Sequence, residues 1–308
     1  MPAYNVGAYI GSSLGSLIQQ TIREIEIVVV NDGSTDATEE IATNLAGRDP
    51  RIRVVRTPRN LGIAGALNYG LQFCRAPYIA RIDGDDLAVS DRIEKQHAFL
   101  QTHPDTGIVG SATRAIDEGG NAIGFFSTST VPLTQEQIAR TLLLSPPCAH
   151  IWMARREVYD KLSGYREVQY AEDYDFLLRA ITAGFRIGNL PEALTLVRVI
   201  RSGNTADSAA LKQRKAKRYV VSLYRERLKG GSDSFSPDRA ERSLRTNRAE
   251  ETIHGVSVRF VQHAFRARNR AKRLLLLCAA AIVSPWQAIH LLDRFRYRLA
   301  LRQAALPR

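Results

Sequence analysis

Three carboxylates fall within four positions at Asp83-Gly84-Asp85-Asp86, directly after the apolar run 78–82. Charges packed so closely repel one another unless a cation or strong donors hold them. A hard divalent ion, Mg²⁺ or Mn²⁺, takes oxygen ligands and can bridge a few carboxylates to the oxygens of a diphosphate. The same residues also make an ordinary solvated turn, so the cluster alone leaves both readings open. A second acidic turn, Asn31-Asp32-Gly33-Ser34-Thr35-Asp36, follows the apolar run 26–30. Asp32 at a strand terminus can accept from a base or ribose, and the same turn can cap a helix. Glu172-Asp173 opens a patterned segment where the helix dipole favours negative charge and where a catalytic base can equally stand. Tyr4 suits stacking on a flat base or packing in a core. His150, after Pro146-Pro147-Cys148-Ala149, reads as a substrate contact or as a satisfied core residue.

The segments between these residues must position them. Residues 26–30 and 52–56 are short apolar, β-branched blocks, and 78–82 is a third strand-like run. Helices are expected between them, one capped by Thr35 or Asp36 and running to Gly47, the other over 64–74. Strands alternating with helices predict a parallel α/β sheet, whose ligands lie beyond the carboxyl ends of the strands. The Asp32 and Asp83 turns then face one crevice. Further on, the pattern predicts a helix over 90–100, a strand over 107–115, and a hairpin turn at Gly119-Gly120-Asn121 leading into a second, shorter strand. Helices follow over 135–144, 156–162 and 172–183, the last closed by Gly184, and 194–200 reads as a final strand.

The 308 residues carry a formal charge of +12 with 44% hydrophobic composition, enough to bury one large core or two fused ones. The charge is uneven. Acidic residues exceed basic ones by about four through Ser208, and basic residues exceed acidic ones by about sixteen from Ala209 onward. Three cysteines without CxxC spacing, Cys74, Cys148 and Cys278, signal neither a zinc site nor a disulfide framework, and suit a reducing cytoplasm. The chain opens without a signal-peptide pattern, and its longest apolar stretch, 274–283, is half the length of a spanning helix. No internal repeat is evident.

Taken in order, the motifs resemble glycosyltransferase family 2, the inverting transferases with the A-type glycosyltransferase fold. The resemblance covers residues 1 to about 204 and rests on Pro2-Ala3-Tyr4-Asn5, Val28-Val29-Val30-Asn31-Asp32-Gly33-Ser34-Thr35-Asp36, and Asn60-Leu61-Gly62 with Ala66-Leu67-Asn68. It continues through Ile82-Asp83-Gly84-Asp85-Asp86, Pro147-Cys148-Ala149-His150 with Met153-Ala154-Arg155-Arg156, Gly164-Tyr165, and Ala171-Glu172-Asp173-Tyr174-Asp175. It implies a nucleotide diphosphate sugar as donor and a divalent metal, Mn²⁺ or Mg²⁺. Pro2, Tyr4, Asn5, Asp32, Asn60, Asp83 and Gly84 would line the nucleotide site, with Tyr4 stacking on the base, Asp32 accepting from it and Asp83 at the ribose. Asp85 would be the main metal ligand, with Asp83 in the metal sphere and Asp86 in support. Asp173 would be the general base.

Three departures stand out. The family carries an apolar strand ahead of its Pro-x-Tyr-Asn segment, whereas Met1 here occupies that strand's last position, which reads as a misassigned start rather than an inactive fragment. Asn31 replaces a first Asp common in the family. Ile200 stands where relatives often carry a His that ligates the metal.

Residues 212–227 and 259–273 mix Lys and Arg with apolar residues at helical spacing, followed by the apolar 274–283 and by Trp286 and Tyr297. That pattern suits adsorption to an anionic membrane, while nucleic-acid binding lacks any supporting motif. The expected organisation is a transferase domain over 1–207, divided into a nucleotide-sugar half at 1–105 and an acceptor half at 106–207, followed by a basic helical tail at 208–308. The expected activity is metal-dependent, inverting transfer to a glycan or lipid-linked acceptor in surface polysaccharide assembly, at the inner face of the plasma membrane. The competing expectation is a non-catalytic membrane- or nucleic-acid-binding protein that retains a damaged transferase domain.

Overall fold

The structure is a computed structural model and describes residues 1–123, 129–199, 206–267 and 269–303. The chain forms two compact units. The first comprises Met1–Ile138, Pro147–Glu167 and Glu172–Ser202, and the second Ala139–Pro146, Val168–Ala171 and Gly203–Arg308.

The elements up to the second unit's helices run β1 (Pro2–Ala3), α1 (Gly7–Ile18), β2 (Ile27–Asn31), α2 (Thr38–Ala46), β3 (Ile52–Arg56), α3 (Gly62–Leu71), β4 (Tyr78–Ala80) and β5 (Leu87–Ala88). They continue with α4 (Arg92–Thr102), β6 (Thr106–Ile116), α5 (Gln135–Thr141), β7 (Met153–Arg155), α6 (Arg156–Leu162), α7 (Glu172–Thr182) and β8 (Arg186–Arg198). β1, β2 and β3 form a parallel sheet, with Pro2 opposite Val30 and Ile27 opposite Ile52. Every residue of β2 is buried, which is why it reads as an unbroken Ile-Val-Val-Val run without alternation.

The expected single parallel sheet is corrected at β4. That strand pairs antiparallel with β7, in a second sheet of order β4-β7-β6-β8-β5, and not with the first three strands. β-type residues in β4 identify a strand but cannot choose its partner, because pairing is settled by which edge the folded chain presents. β8 is also longer than the pattern predicted, beginning at Arg186. Pro191 sits in a register irregularity, where Ser111 pairs with Leu190 and Ala112 with Ala193. A bulge accommodates the missing N–H. The strand expected after Gly120 is a single bridge from Ile116 to Ala122, and the sequence beyond 123 falls on residues outside those described.

One core cluster lies on β2, with Ile10 and Leu14 of α1 packed with Val29 and Ile82. Another is aromatic, with Trp152, Tyr159, Tyr165 and Phe176 together. Trp152 is fully buried and donates its indole N–H to the Tyr159 hydroxyl at 3.0 Å, so its polar edge is satisfied where its bulk is hidden. Each such buried apolar side chain contributes roughly 1.5–3 kcal/mol.

The helices of the second unit are α8 (Ala206–Gly230), α9 (Pro237–Leu244), α10 (Arg248–Arg266), α11 (Arg270–Val283) and α12 (Pro285–Gln303). Their starts follow local rules. Ser236 caps α9 ahead of Pro237, Asn247 and Glu250 form a capping box on α10, and Asn269 caps α11. Among the described residues no helix is long and apolar enough to cross a membrane.

Candidate active site

The two-residue strand β1 brings the two acidic turns together. The Ala3 carbonyl accepts from the Asp32 N–H at 2.9 Å, and the Pro2 carbonyl accepts from the Gly84 N–H at 3.1 Å. A Cβ at Gly84 would lie 3.1 Å from both that Pro2 oxygen and Val6 Cγ2 and 3.3 Å from Ala3 Cβ, so a bare backbone permits this approach. The two acidic turns, expected to face one crevice, are thus both hydrogen-bonded to Pro2-Ala3.

Asp32 is buried and organises the turn around it. Its Oδ1 accepts from the Thr57 hydroxyl at 2.9 Å and the Leu61 N–H at 2.8 Å, while Asn60 Nδ2 donates to the Asp32 carbonyl at 3.1 Å. Asn60 Oδ1 in turn accepts from the Gly62 N–H at 3.1 Å. Asn5 has φ 49°, a left-handed conformation that Asn tolerates, and its Oδ1 accepts from the Thr35 N–H at 2.8 Å. Between these anchored neighbours Tyr4 projects with half of its surface exposed.

Beyond β4, the side chains of Asp83, Asp86 and His150 offer two carboxylate oxygens and one imidazole nitrogen, all within 4.8 Å of one another. His150 Nε2 lies 3.4 Å from Asp83 Oδ2 and 3.8 Å from Asp86 Oδ2. Two carboxylate oxygens and one imidazole nitrogen are a donor set that a divalent ion could take. Asp85, given the leading role by the family resemblance, is buried beside this group, and its carbonyl accepts from Arg198 Nε at 3.0 Å. Asp86 Oδ1 accepts from the Arg198 N–H at 2.9 Å, which pins the acidic turn to the end of β8. Ile200, where the family His was sought, lies outside the described residues.

Two cations balance the carboxylates. Burial disfavours the charge on Asp83, but Arg81 and then His150 outweigh it and hold this carboxyl well below its usual range. Burial likewise opposes charge on His150, and Asp83 overrides it, raising the imidazole to about 10. An ion at this site would take the place of that proton, because a ligating imidazole is neutral. Arg81 is buried, with Nε 3.3 Å from Asp83 Oδ1 and Nη2 3.3 Å from Glu172 Oε1. Burial and the charge of Asp173 push Glu172 up to about 7 despite Arg81.

Asp173 sits half-buried in the first turn of α7, with Oδ1 accepting from the Tyr174 N–H at 2.7 Å. It is linked to the acidic cluster through its neighbour Glu172 and Arg81. Sequence reasoning passed over Arg81 and Thr57. Arg81 did leave a signal: a charged residue inside an apolar strand next to an acidic turn is rarely solvated and needs partners.

The profile described as Glycosyl transferase family 2 matches residues 1–163. The chain is also 32% identical over 220 residues to the amylovoran biosynthesis glycosyltransferase AmsE of Erwinia amylovora, covering 70% of this chain and 78% of that one. The chain belongs to glycosyl transferase family 2. Like its family, it is a glycosyltransferase. Its fold is the A-type glycosyltransferase fold, similar to that of the mannosyltransferase PcManGT from Pyrobaculum calidifontis in complex with GDP-Man and Mn²⁺. That likeness has a TM-score of 0.60 at 19% identity, over 98% of this chain and 84% of that one. A comparable likeness joins this family 2 member to S. aureus TarS 1–349 in complex with UDP-GlcNAc, with a TM-score of 0.59 at 17% identity over 100% and 91% of the two chains.

Proposed function

We propose that this transferase moves a sugar, with inversion and with the help of a divalent ion, from a nucleotide diphosphate sugar to a glycan or lipid-linked acceptor. The observation that carries this reading is the convergence of Asp83, Asp86 and His150 beside Pro2-Ala3, to which both acidic turns are hydrogen-bonded. Asp83, Asp86 and His150 are the residues that would hold the ion. When bound, it neutralises the charge growing on the departing nucleoside diphosphate. Tyr4 offers its exposed ring to the base, and Asp32 and Asn60 hold the wall beside it. Asp173 takes the proton from the attacking acceptor hydroxyl, whose own pKa is far above neutrality. One base suffices for direct displacement, which is why inversion is proposed. The relatives' names support the substrate class: GDP-Man and UDP-GlcNAc are donors bound by proteins of this fold, and AmsE serves amylovoran biosynthesis. A role in surface polysaccharide assembly follows.

The same reading places the enzyme at the cytoplasmic face of an anionic membrane. On α11, Leu274, Leu275 and Ile282 are 64%, 70% and 83% exposed, next to Arg270, Lys272 and Arg273. An apolar stripe rimmed by cations suits the boundary between headgroups and acyl chains.

Thermal unfolding with Mn²⁺ and a panel of nucleoside diphosphates and their sugars tests the reading, with His150→Ala in parallel. One nucleotide should stabilise the protein by about 2.7 kcal/mol at a hundredfold excess over its dissociation constant, only with Mn²⁺ and not in His150→Ala. A cooperative transition that no nucleotide shifts would overturn it.

A further inference from the structure

The second unit carries the basic excess of the chain, and part of that excess is gathered into one groove. On α8, Lys217 and Arg218 follow Arg214 at three and four residues, so the three side chains share one face of the helix. That face meets α12. Lys217 Nζ lies 2.6 Å from Asp293 Oδ2, and the Arg218 guanidinium lies 5.4 Å from the centre of the Trp286 ring. On α12, His290 and Arg294 follow Trp286 at successive intervals of four, which aligns them along the same groove.

Carboxylates do not balance these cations. Asp293 serves Lys217, which also donates to the Leu144 carbonyl at 2.7 Å, and Glu250 serves Lys215 at 3.0 Å. Arg214 is half-buried and donates instead to His254 Nε2 at 2.8 Å. A guanidinium cannot accept, so that nitrogen does, and the His254 proton sits on Nδ1, 2.9 Å from the Ser284 hydroxyl oxygen. His254 is therefore neutral and leaves the Arg214 charge uncompensated. Arg294 is exposed and, among the described residues, has no carboxylate within ion-pair distance. Burial, and then the charges of Arg214, Arg294 and Lys217, push His290 down to about 3. Gln287, buried one turn before His290, has an Oε1 without a hydrogen-bond partner, and turning its amide over puts an N–H donor in that place.

We propose that the groove between α8 and α12 is a binding site for a phosphate dianion, held by Arg214 and Arg294 with His290 between them. Cations left uncompensated in a partly buried groove repel one another, and a bound anion removes that repulsion where no carboxylate does. Two guanidiniums favour phosphate over carboxylate, because a tetrahedral dianion offers an oxygen to each planar fork and keeps another for an imidazole N–H. His290 becomes that donor once the dianion is beside it, since a neighbouring negative charge favours the protonated ring. A free phosphate and the phosphomonoester headgroup of a lipid present the same chemistry. All of these residues belong to the second unit, so the site does not rest on the transfer reading built from the first.

Trp286 emission is the local reporter, with Trp286→Phe as the blank, read without metal or nucleotide. At constant ionic strength inorganic phosphate should change the emission saturably, and chloride should not. Arg214→Gln and Arg294→Gln should each raise the half-saturating concentration at least about tenfold, the effect of losing a charge-assisted hydrogen bond. Arg296→Gln, at an exposed neighbouring position, should leave it within a factor of about two. In phosphate-free buffer Arg294→Gln should melt no lower than the parent, because it relieves repulsion, so its loss of binding is not a loss of fold. Vesicles bearing phosphatidic acid, set against vesicles matched in charge with the phosphodiester phosphatidylglycerol, identify the source. Half-saturation at a lower phosphate concentration with phosphatidic acid than with the free ion assigns the headgroup, and the reverse assigns the free ion. No saturable change with either probe, or an equal response from Arg294→Gln and Arg296→Gln, would overturn the site.

Discussion

Arg81 Nη2 lies 3.3 Å from Glu172 Oε1, tying the end of β4 to the first turn of α7. The same guanidinium reaches Asp83, so the cation that balances the acidic cluster also fixes the helix that presents Asp173. All three elements must be in place for the metal side and the base side of the crevice to keep one geometry.

Replacing Arg81 by Leu leaves Glu172 buried without its cation. Removing one partner of such a pair costs about 3–5 kcal/mol, and urea unfolding measures it. The Arg81→Leu/Glu172→Leu double variant should lose clearly less than the sum of the single losses, because Glu172 is then no longer stranded and only Asp83 is left without the guanidinium. Strict additivity would mean that the pair is not coupled.

Asp173→Asn should leave nucleotide binding unchanged and lower transfer by about 10²–10⁴-fold, the range for a positioned general base. The drop belongs in kcat rather than in the KM for donor, because the base acts on the acceptor hydroxyl. Rates within a factor of two of the parent would remove Asp173 from that role.

Burial lowers the Met1 amine from 8.0 to about 6 in the folded chain. Between these values the unfolded chain binds more protons than the folded one, so stability rises with pH across that window and is lost as pH falls through it. The full effect is roughly 2–3 kcal/mol between pH 5.5 and 8.5. Denaturant midpoints across the range report it, and N-terminal acetylation should flatten this contribution. A profile identical with and without the acetyl group would contradict the burial of a titrating amine.

Sedimentation with vesicles containing anionic lipid should capture the protein at low salt and release it as salt rises. Leu274→Asp/Leu275→Asp/Ile282→Asp should reduce the bound fraction severalfold while leaving Tm close to the parent, since these side chains are exposed. Binding to neutral vesicles, or undiminished binding of the triple variant, would argue against this face. Capture by RNA in place of vesicles would favour the nucleic-acid reading of the basic helices.

What the sequence determined by itself is what short segments settle locally. β3 runs over Ile52–Arg56 as its β-branched block predicts, and α7 opens at Glu172 where the acidic first turn placed it. The ordered motifs from Pro2 to Asp175 were enough to point to the family, because turns and caps depend on neighbours a few residues away. Partners far apart in the chain were decided by the tertiary structure alone. His150 joins Asp83 and Asp86 because β7 delivers it alongside β4, and no local pattern separates such a His from a core residue. Arg81 finds Glu172 for the same reason. The split between the two sheets belongs here too, since a strand's composition tells that it will pair but not with which edge. Long-range pairing is a property of the folded surface as a whole, and only there do the charges that balance one another meet.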